Sequence, residues 1–347
     1  MKITEKTVVF VLAIVLAAAL TAGCGDRQNE QKRETAEIGD FGFDMENEAE
    51  NGGDESAAGA QDDDYTFTDD LGRKVTVSEP ERVAALLGSY ADIWYLAGGE
   101  ICACADDAWE DFALPLPEDA INLGMTKELN LEKLFEADPD FVLASSNTQG
   151  NVEWMDTLEA AGIAVAYFSV SDFDDYLRLL RICTEITGRE DLYVENGLDI
   201  QAQIDSVIAQ SRERISAAGE APTVLSLRAS STFIRAKSSK NNVLGEMLKS
   251  LGCVNIADSD DSLLENLSLE HIMLQDPDYI FFIQQGDNAE GTEANIERFI
   301  SENPAWSQLT AVKEGRVYLL EKVLYALKPN DRWGEAYENL ERILSDE

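Results

Sequence analysis

The sequence predicts an α/β protein arranged as lobe, long helix, lobe. Three observations predict it. From Tyr65 to about Ser171, short apolar runs alternate with helical stretches, the pattern of βα units around a mainly parallel sheet. From about Asp172 to Ala218 strand signals stop and apolar residues recur at near-helical spacing. After Pro222 the alternation resumes.

Two segments precede the first lobe. Thr7–Ala22 is apolar, follows Lys2 and Lys6, and runs into Leu20-Thr21-Ala22-Gly23-Cys24-Gly25. That length suits a signal-peptide core and is short for a membrane-spanning helix, so residues 1–23 are expected to be a signal peptide. Residues 24–64 follow as a polar stretch. Between Gly25 and Asp64 there are fourteen acidic residues against Arg27, Lys32 and Arg33. Such a segment buries too little apolar surface to offset its chain entropy, and it is expected to be a disordered, self-repelling tether.

The N-terminal lobe is expected over residues 65–171. Thr66-Phe67-Thr68 and Lys74-Val75-Thr76-Val77 flank Asp69-Asp70-Leu71-Gly72, a hairpin pattern. Val83–Leu87, Ile101–Ala105, Phe141–Ala144 and Ile163–Phe168 read as strands, with helices at Tyr90–Ala97, Leu131–Ala137 and Val152–Ala161. Gly98-Gly99, Asp138-Pro139-Asp140 and Gly162 are the breakers expected where helices hand over to strands. Residues 172–220 are expected to be an inter-lobe helical segment. Thr187-Gly188-Arg189 interrupts it, leaving Glu190–Ala218 as one long helix. The C-terminal lobe, residues 221–347, offers strands at Thr223–Leu227, Tyr279–Ile283 and Arg316–Leu320. Its helices are expected at Asn242–Leu251, Ser268–Leu274, Ile296–Ile300 and Asp331–Leu344.

Charge narrows the partners. With 27 Lys and Arg against 67 Asp and Glu, the formal net charge is −40. Such a surface repels nucleic acid and anionic lipid headgroups. Cys102 and Cys104 lie two apart in a strand, on one face and poorly placed to bond each other. With Cys183 and Cys253 they are expected as small apolar core residues. His271 is the single histidine, too little for a bare-metal site or a Ser-His-Asp arrangement. The chain has no Gly-x-Ser-x-Gly elbow and no phosphate-cradling glycine loop after a strand. No catalytic residue, no metal site and no intrinsic cofactor are expected, and the protein is read as a binding protein rather than an enzyme.

Residues 20–25 resemble the bacterial lipobox, with Thr21 where leucine is usual. The resemblance implies lipidation of Cys24, palmitate included, and a body anchored at the outer, extracytoplasmic face of the cell membrane. Nearly everything after Tyr65 resembles the substrate-binding proteins of ABC importers for cobalamin, haem and iron–siderophores. Phe67–Val77 looks like that family's opening hairpin, and Glu81-Arg82-Val83 like the approach to its first core strand. Leu129–Leu134 with Asp138-Pro139-Asp140-Phe141-Val142 is similar to its helix–strand junction. Leu269-Glu270-His271-Ile272 with Asp276-Pro277-Asp278-Tyr279-Ile280 repeats that junction, and Ala311–Tyr318 and Arg332-Trp333 match the closing segment.

The resemblance implies two Rossmann-like lobes joined by one long helix, with a ligand cleft between the lobes. It implies a monomer that delivers its cargo to an ABC permease dimer with ATPase subunits. Glu132 and Glu270 match the glutamates with which relatives dock on permease arginines. The cargo implied is a chelated iron compound, siderophore or haem. A corrinoid such as cobalamin is the alternative on the same fold, and a sensory or enzymatic surface lipoprotein is the second alternative.

A cleft in such a fold is lined by loops at the carboxyl ends of the strands. In the N-terminal lobe that selects Tyr90, Trp109 and Ser146 as ligand-binding residues, beside Ser89, Trp94, Asp107, Ser145 and Asn147; for Trp94, which lies in a helical apolar stripe, core packing is the alternative. In the C-terminal lobe it selects Arg228, Arg235, Gln284, Tyr325 and Lys328, beside Phe233, Lys237 and Gln285. Strand-end arginines in so acidic a chain suit an anionic chelate, and aromatic rings suit a planar catecholate or macrocycle.

Overall fold

Residues 64–345, other than 260 and 287, are described by the computed structural model. Cys24, the predicted signal peptide and the predicted tether up to residue 63 lie outside the described residues.

The described chain opens with the antiparallel hairpin β1 (Asp64–Thr68) and β2 (Lys74–Ser78). Alternation buries Phe67, Val75 and Val77 on one face. The turn is pinned as well as packed. Asp69 is buried, accepts the backbone N–H groups of Leu71, Arg73 and Tyr167, and pairs with the Arg73 guanidinium at 2.8 Å.

The first sheet is parallel, with β3 (Val83–Ala85), β4 (Ile101–Cys104), β5 (Ile121–Asn122), β6 (Phe141–Ser145) and β7 (Ala164–Phe168) in the order β5-β4-β3-β6-β7. Every residue of β6 is buried, as expected of a central strand covered on both faces. Between the strands run α1 (Gly88–Leu96), α2 (Asp107–Glu110), α3 (Leu131–Glu136), α4 (Gln149–Glu153) and α5 (Met155–Ala160). The single helix predicted at Val152–Ala161 is two short helices that meet at Trp154.

Helix α6 (Phe173–Thr187) is N-capped by Asp172, which accepts from the Asp175 N–H, and stops at Gly188 with φ 68°. It packs on α1 and β1. The helical run then continues through α7 (Glu190–Tyr193), a π-helical turn (Val194–Leu198) and α8 (Asp199–Ala218), ending at Gly219 with φ 82°. The long helix is therefore present, but wound more loosely in its second turn. There the Tyr176 hydroxyl donates to Asn196 O (2.7 Å), and Asn196 Nδ2 donates to Leu96 O (2.9 Å).

The second sheet contains β8 (Thr223–Ala229), β9 (Ile234–Lys237), β10 (Val254–Asn255), β11 (Tyr279–Gln284) and β12 (Val317–Leu320). Its parallel strands run β10-β8-β11-β12, and β9 pairs antiparallel with β8. The helices of this half are α9 (Val243–Ser250), α10 (Asp261–Asn266), α11 (Leu269–Gln275), α12 (Ala289–Glu302), α13 (Thr310–Lys313), α14 (Lys322–Tyr325) and α15 (Trp333–Leu344). Helix α15 packs along α8, and Trp333 meets Phe173 edge-on at 6.1 Å. The chain end thus ties the second half back to α6.

The halves repeat each other locally. The order β4-β3-β6-β7 in one sheet matches β10-β8-β11-β12 in the other. Asp138 (φ 47°) and Asp276 (φ 41°) both turn left-handed, and each is followed by Pro-Asp. Asp140 then accepts the N–H groups of Glu81 and Arg82 ahead of β3, and Asp278 accepts the N–H and hydroxyl of Thr223 at the start of β8. Cys102 is half-buried, Cys104, Cys183 and Cys253 are buried, and all four are free thiols.

Candidate functional site: a cleft with one basic wall

Parallel strands of both sheets end toward loops that approach one another. In the second half, β8 extends two residues past its predicted end, so Arg228 lies within the strand. The sequence missed β9 altogether. Its pairing places Arg235 directly opposite Arg228 and Lys237 opposite Ser226. Alternation puts Arg235 and Lys237 on the same face of β9.

Like charges directly opposite each other destabilise an antiparallel pair, and no carboxylate among the described residues pairs with them. Among the described residues none of Arg228, Arg235 and Lys237 is in an ion pair. The Arg228 Nε–H is buried without a hydrogen-bond partner. The Arg235 guanidinium lies over the Phe233 ring at 5.1 Å. Burial pushes Arg228 below its ordinary value, and burial, then Arg228 and Arg235, push the Lys237 ammonium down. A wall in which two arginines push down a neighbouring lysine suits an anion.

The segment between β12 and α15 adds Lys328, half-buried, with Nζ 5.8 Å from the Tyr90 ring centroid. Burial lowers its pKa and Arg228 lowers it further, while Asp107 opposes. The same segment touches the first half at two hydrogen-bonded points. Lys322 Nζ donates to both carboxylate oxygens of Asp111 at 2.8 Å. Asn330 Nδ2 donates to Ser89 O (2.9 Å) and Asp92 Oδ2 (2.7 Å).

The wall from the first half is neutral to acidic. Asp107 Oδ1 accepts the Gly88 N–H (2.8 Å). Gly88 has no room for a side chain: a Cβ there would lie 2.5 Å from Ala108 N, so α1 starts hard against α2. Burial pushes the Asp107 carboxyl up to about 6, with Asp111 and Asp106 adding to the rise and the Gly88 N–H and Lys328 opposing it. Trp109 and Ser146 are half-buried, and Asn147 is exposed with Nδ2 on the Ser169 hydroxyl. Ser145 is buried and accepts the Asn147 N–H.

Several candidates are placed otherwise than the sequence expects. Tyr90 and Tyr325 are 1% and 3% exposed. Their hydroxyls are committed to Phe168 O and Ala336 O, so both brace the walls rather than present rings to a ligand. Trp94 is core, donating Nε1–H to Glu100 O. Ser89 is buried and offers only its carbonyl to Asn330. Gln284 and Gln285 are half-buried at the end of β11, where Gln284 Nε2 reaches Gly286 O and the Gln285 N–H reaches Ala229 O. Asp111, Lys322 and Asn330 escaped sequence reasoning. Their signal is spatial.

Glu132 and Glu270 are exposed in the first turns of α3 and α11, helices N-capped by Asn130 and Ser268. They occupy matching positions in the repeated junctions and stand apart from the basic wall in sequence and sheet position. His271 is half-buried in the same turn of α11. Among the described residues no group of three or more His, Cys, Asp and Glu is placed to hold a metal ion, and no helix is long and apolar enough to cross a membrane.

The family described as periplasmic binding protein matches residues 83–324. The Fe(3+)-citrate-binding protein YfmC of Bacillus subtilis (strain 168) is 23% identical over 318 residues, covering 91% of this chain and 89% of that protein. The putative ABC transporter substrate-binding lipoprotein YhfQ of the same organism is 20% identical over 338 residues, 93% of each chain. Among solved structures, Staphylococcus aureus SirA complexed with staphyloferrin B superposes with TM-score 0.63 at 16% identity, covering 81% of this chain and 98% of that one. The catecholate-siderophore binding protein VctP of Vibrio cholerae superposes with TM-score 0.64 at 16% identity, covering 82% and 100%. These likenesses show the two-lobed fold.

Proposed function

The chain belongs to the periplasmic binding protein family, and from that premise we propose that it is the solute-binding component of an ABC importer. It captures an anionic iron chelate between its lobes and delivers it to a permease dimer. The observation that carries the reading is the basic wall: Arg228 opposite Arg235, with Lys237 beside them and no described carboxylate in reach, in a chain of net charge −40. Fixed cations without a counter-ion are a site prepared for one.

Iron enters already chelated in this reading. The single histidine sits on α11, and Tyr90 and Tyr325 have their hydroxyls in backbone hydrogen bonds. A chelate whose own donors fill the metal's coordination sphere therefore fits better than haem, which takes an axial ligand from the protein. The ferric-citrate and staphyloferrin B names of the relatives agree with a carboxylate-rich cargo. Cys24 is the anchor to the outer membrane face, and Glu132 and Glu270 are the permease contacts.

The test is direct titration. The body from residue 64 onward is titrated with ferric citrate, a ferric catecholate, haem and cobalamin, followed by tryptophan fluorescence and native mass spectrometry. A ferric chelate should bind. Arg228→Ala or Arg235→Ala should weaken it about ten- to a hundredfold, the loss of one charge-assisted contact of about 1.5–3 kcal/mol. Tight binding of cobalamin alone would replace the cargo. Unchanged affinity in both variants would remove the wall from the site.

A further inference from the structure

Lys328, at the edge of the basic wall, already faces an acidic element of its own chain. Helix α2 and its flanks carry Asp106, Asp107, Glu110 and Asp111. Asp107 and Asp111 are one helical turn apart and so share a face. Opposite them, one short segment carries Lys322 and Lys328. The first pair is closed: Lys322 grips both oxygens of Asp111 at 2.8 Å, with both side chains about one-fifth exposed. The second faces the same place from both sides. The Gly88 N–H fixes Asp107 at the start of α1. Lys328 lies over Tyr90, two residues along α1, and Asn330 ties its segment to Ser89. Asp107 and Lys328 feel each other's charge, and the groups acting on them are Asp106 and Asp111 on the acidic side and Arg228 on the basic side.

We propose that α2 is an internal acidic competitor for Lys328, the lysine at the edge of the basic wall, with Asp107 as a specificity-determining residue and Asp111 as the positioning residue that clamps the helix in place. This rests on the cleft reading above. In the ligand-free protein Asp107 serves as counter-ion to Lys328. A chelate must bring enough negative charge to take Lys328 over, so the cleft rejects neutral chelates and admits polyanionic ones. Because burial holds the Asp107 carboxyl near 6, the competition is present at pH 7.5 and fades below pH 6 as Asp107 takes up a proton.

The experiment compares wild type with Asp107→Asn, which keeps the Oδ1 acceptor for Gly88. Two probes are used: ferric citrate, which is anionic, and a neutral ferric trihydroxamate. At pH 7.5 the variant should bind ferric citrate about tenfold tighter while its affinity for the neutral chelate stays within twofold. At pH 5 the gain on ferric citrate should shrink to below twofold. Equal gains on both probes, or weaker binding of ferric citrate, would overturn the proposal. A ligand-free arm separates it from the transport reading: thermal unfolding of Asp107→Asn, Lys328→Met and the double variant at pH 7.5. Non-additive shifts support the pairing even if no chelate binds, in which case the cargo reading fails instead. Additive shifts overturn the pairing whatever binds.

Discussion

Asp92 shows how far a single residue can register the state of the protein. It lies on α1, accepts from Asn330, and is pushed up to about 6 chiefly by burial, with the Asn330 amide opposing and Asp331 adding. A carboxyl whose folded pKa lies above its unfolded 3.8 holds its proton more tightly when folded. The native state therefore binds more protons between about pH 4 and 6. Stability is highest below that window and falls as pH rises through it. Wild-type protein should melt at higher temperature at pH 4.5 than at pH 7, and Asp92→Asn should gain at pH 7 and flatten the profile, by at most about 3 kcal/mol. Relief of general acidic repulsion acts on both proteins alike, so the difference between their profiles is the readout. An identical slope in the variant would show that Asp92 does not titrate in this window. None of this was legible in the sequence. Asp92 is one of 67 acidic residues, and its distinction comes from Asn330, which lies 238 positions away.

At the scale of elements, the repeated Asp-Pro-Asp junction is the unit that leads from α3 into β6 and from α11 into β11. Asp278→Ala removes the acceptor for the N–H and hydroxyl of Thr223 and should destabilise the protein by about 1–3 kcal/mol. Asp140→Ala should act similarly through Glu81 and Arg82. Urea unfolding with an unchanged m-value would verify both. The same junctions carry the docking proposal. Glu132→Lys with Glu270→Lys should abolish uptake in cells while leaving chelate affinity of the isolated protein unchanged. Loss of affinity in that variant would refute the assignment. These junctions were legible because breakers and apolar runs are local signals: Pro277 and Tyr279–Ile283 announce a strand without any knowledge of its neighbours. Strand β9 was not, because it is four residues long and carries Arg235 and Lys237, and only its pairing with β8 makes it a strand. The basic wall was thus half visible: its residue types could be read, but its register could not.

At the scale of the whole molecule, the described body spans both sheets and begins at Asp64. The proposed anchor is tested there. Cys24→Ser should release the protein into the medium, and retention in the membrane fraction would argue against lipidation. A protease should trim the acidic stretch and leave a core starting near Tyr65. Hydrogen-exchange protection over residues 25–63 would contradict a tether. The lobe–helix–lobe plan was legible from alternation alone. What the sequence did not show is that the chain's last segment returns to the first half, through Asn330, Trp333 and Lys322, so the two halves are joined on a second side besides the long helix.

The π-helical turn at Val194–Leu198 makes that helix a coupling with a set phase. An α-helix advances about 100° and 1.5 Å for each residue, and a π turn accommodates roughly one residue more than the regular winding. The turn is fastened at its middle residue, where Asn196 O accepts from the Tyr176 hydroxyl and Asn196 Nδ2 donates to Leu96 O, and α8 follows with Ile200, Ile204 and Val207 buried. Deleting one residue there would remove the surplus and restore regular winding with the apolar stripe at almost the same phase, whereas deleting one residue from the regular winding of α8 would turn everything after it by about 100°. The loosely wound turn thus takes up one residue of chain length while α8 keeps its apolar stripe in phase with the helix before it.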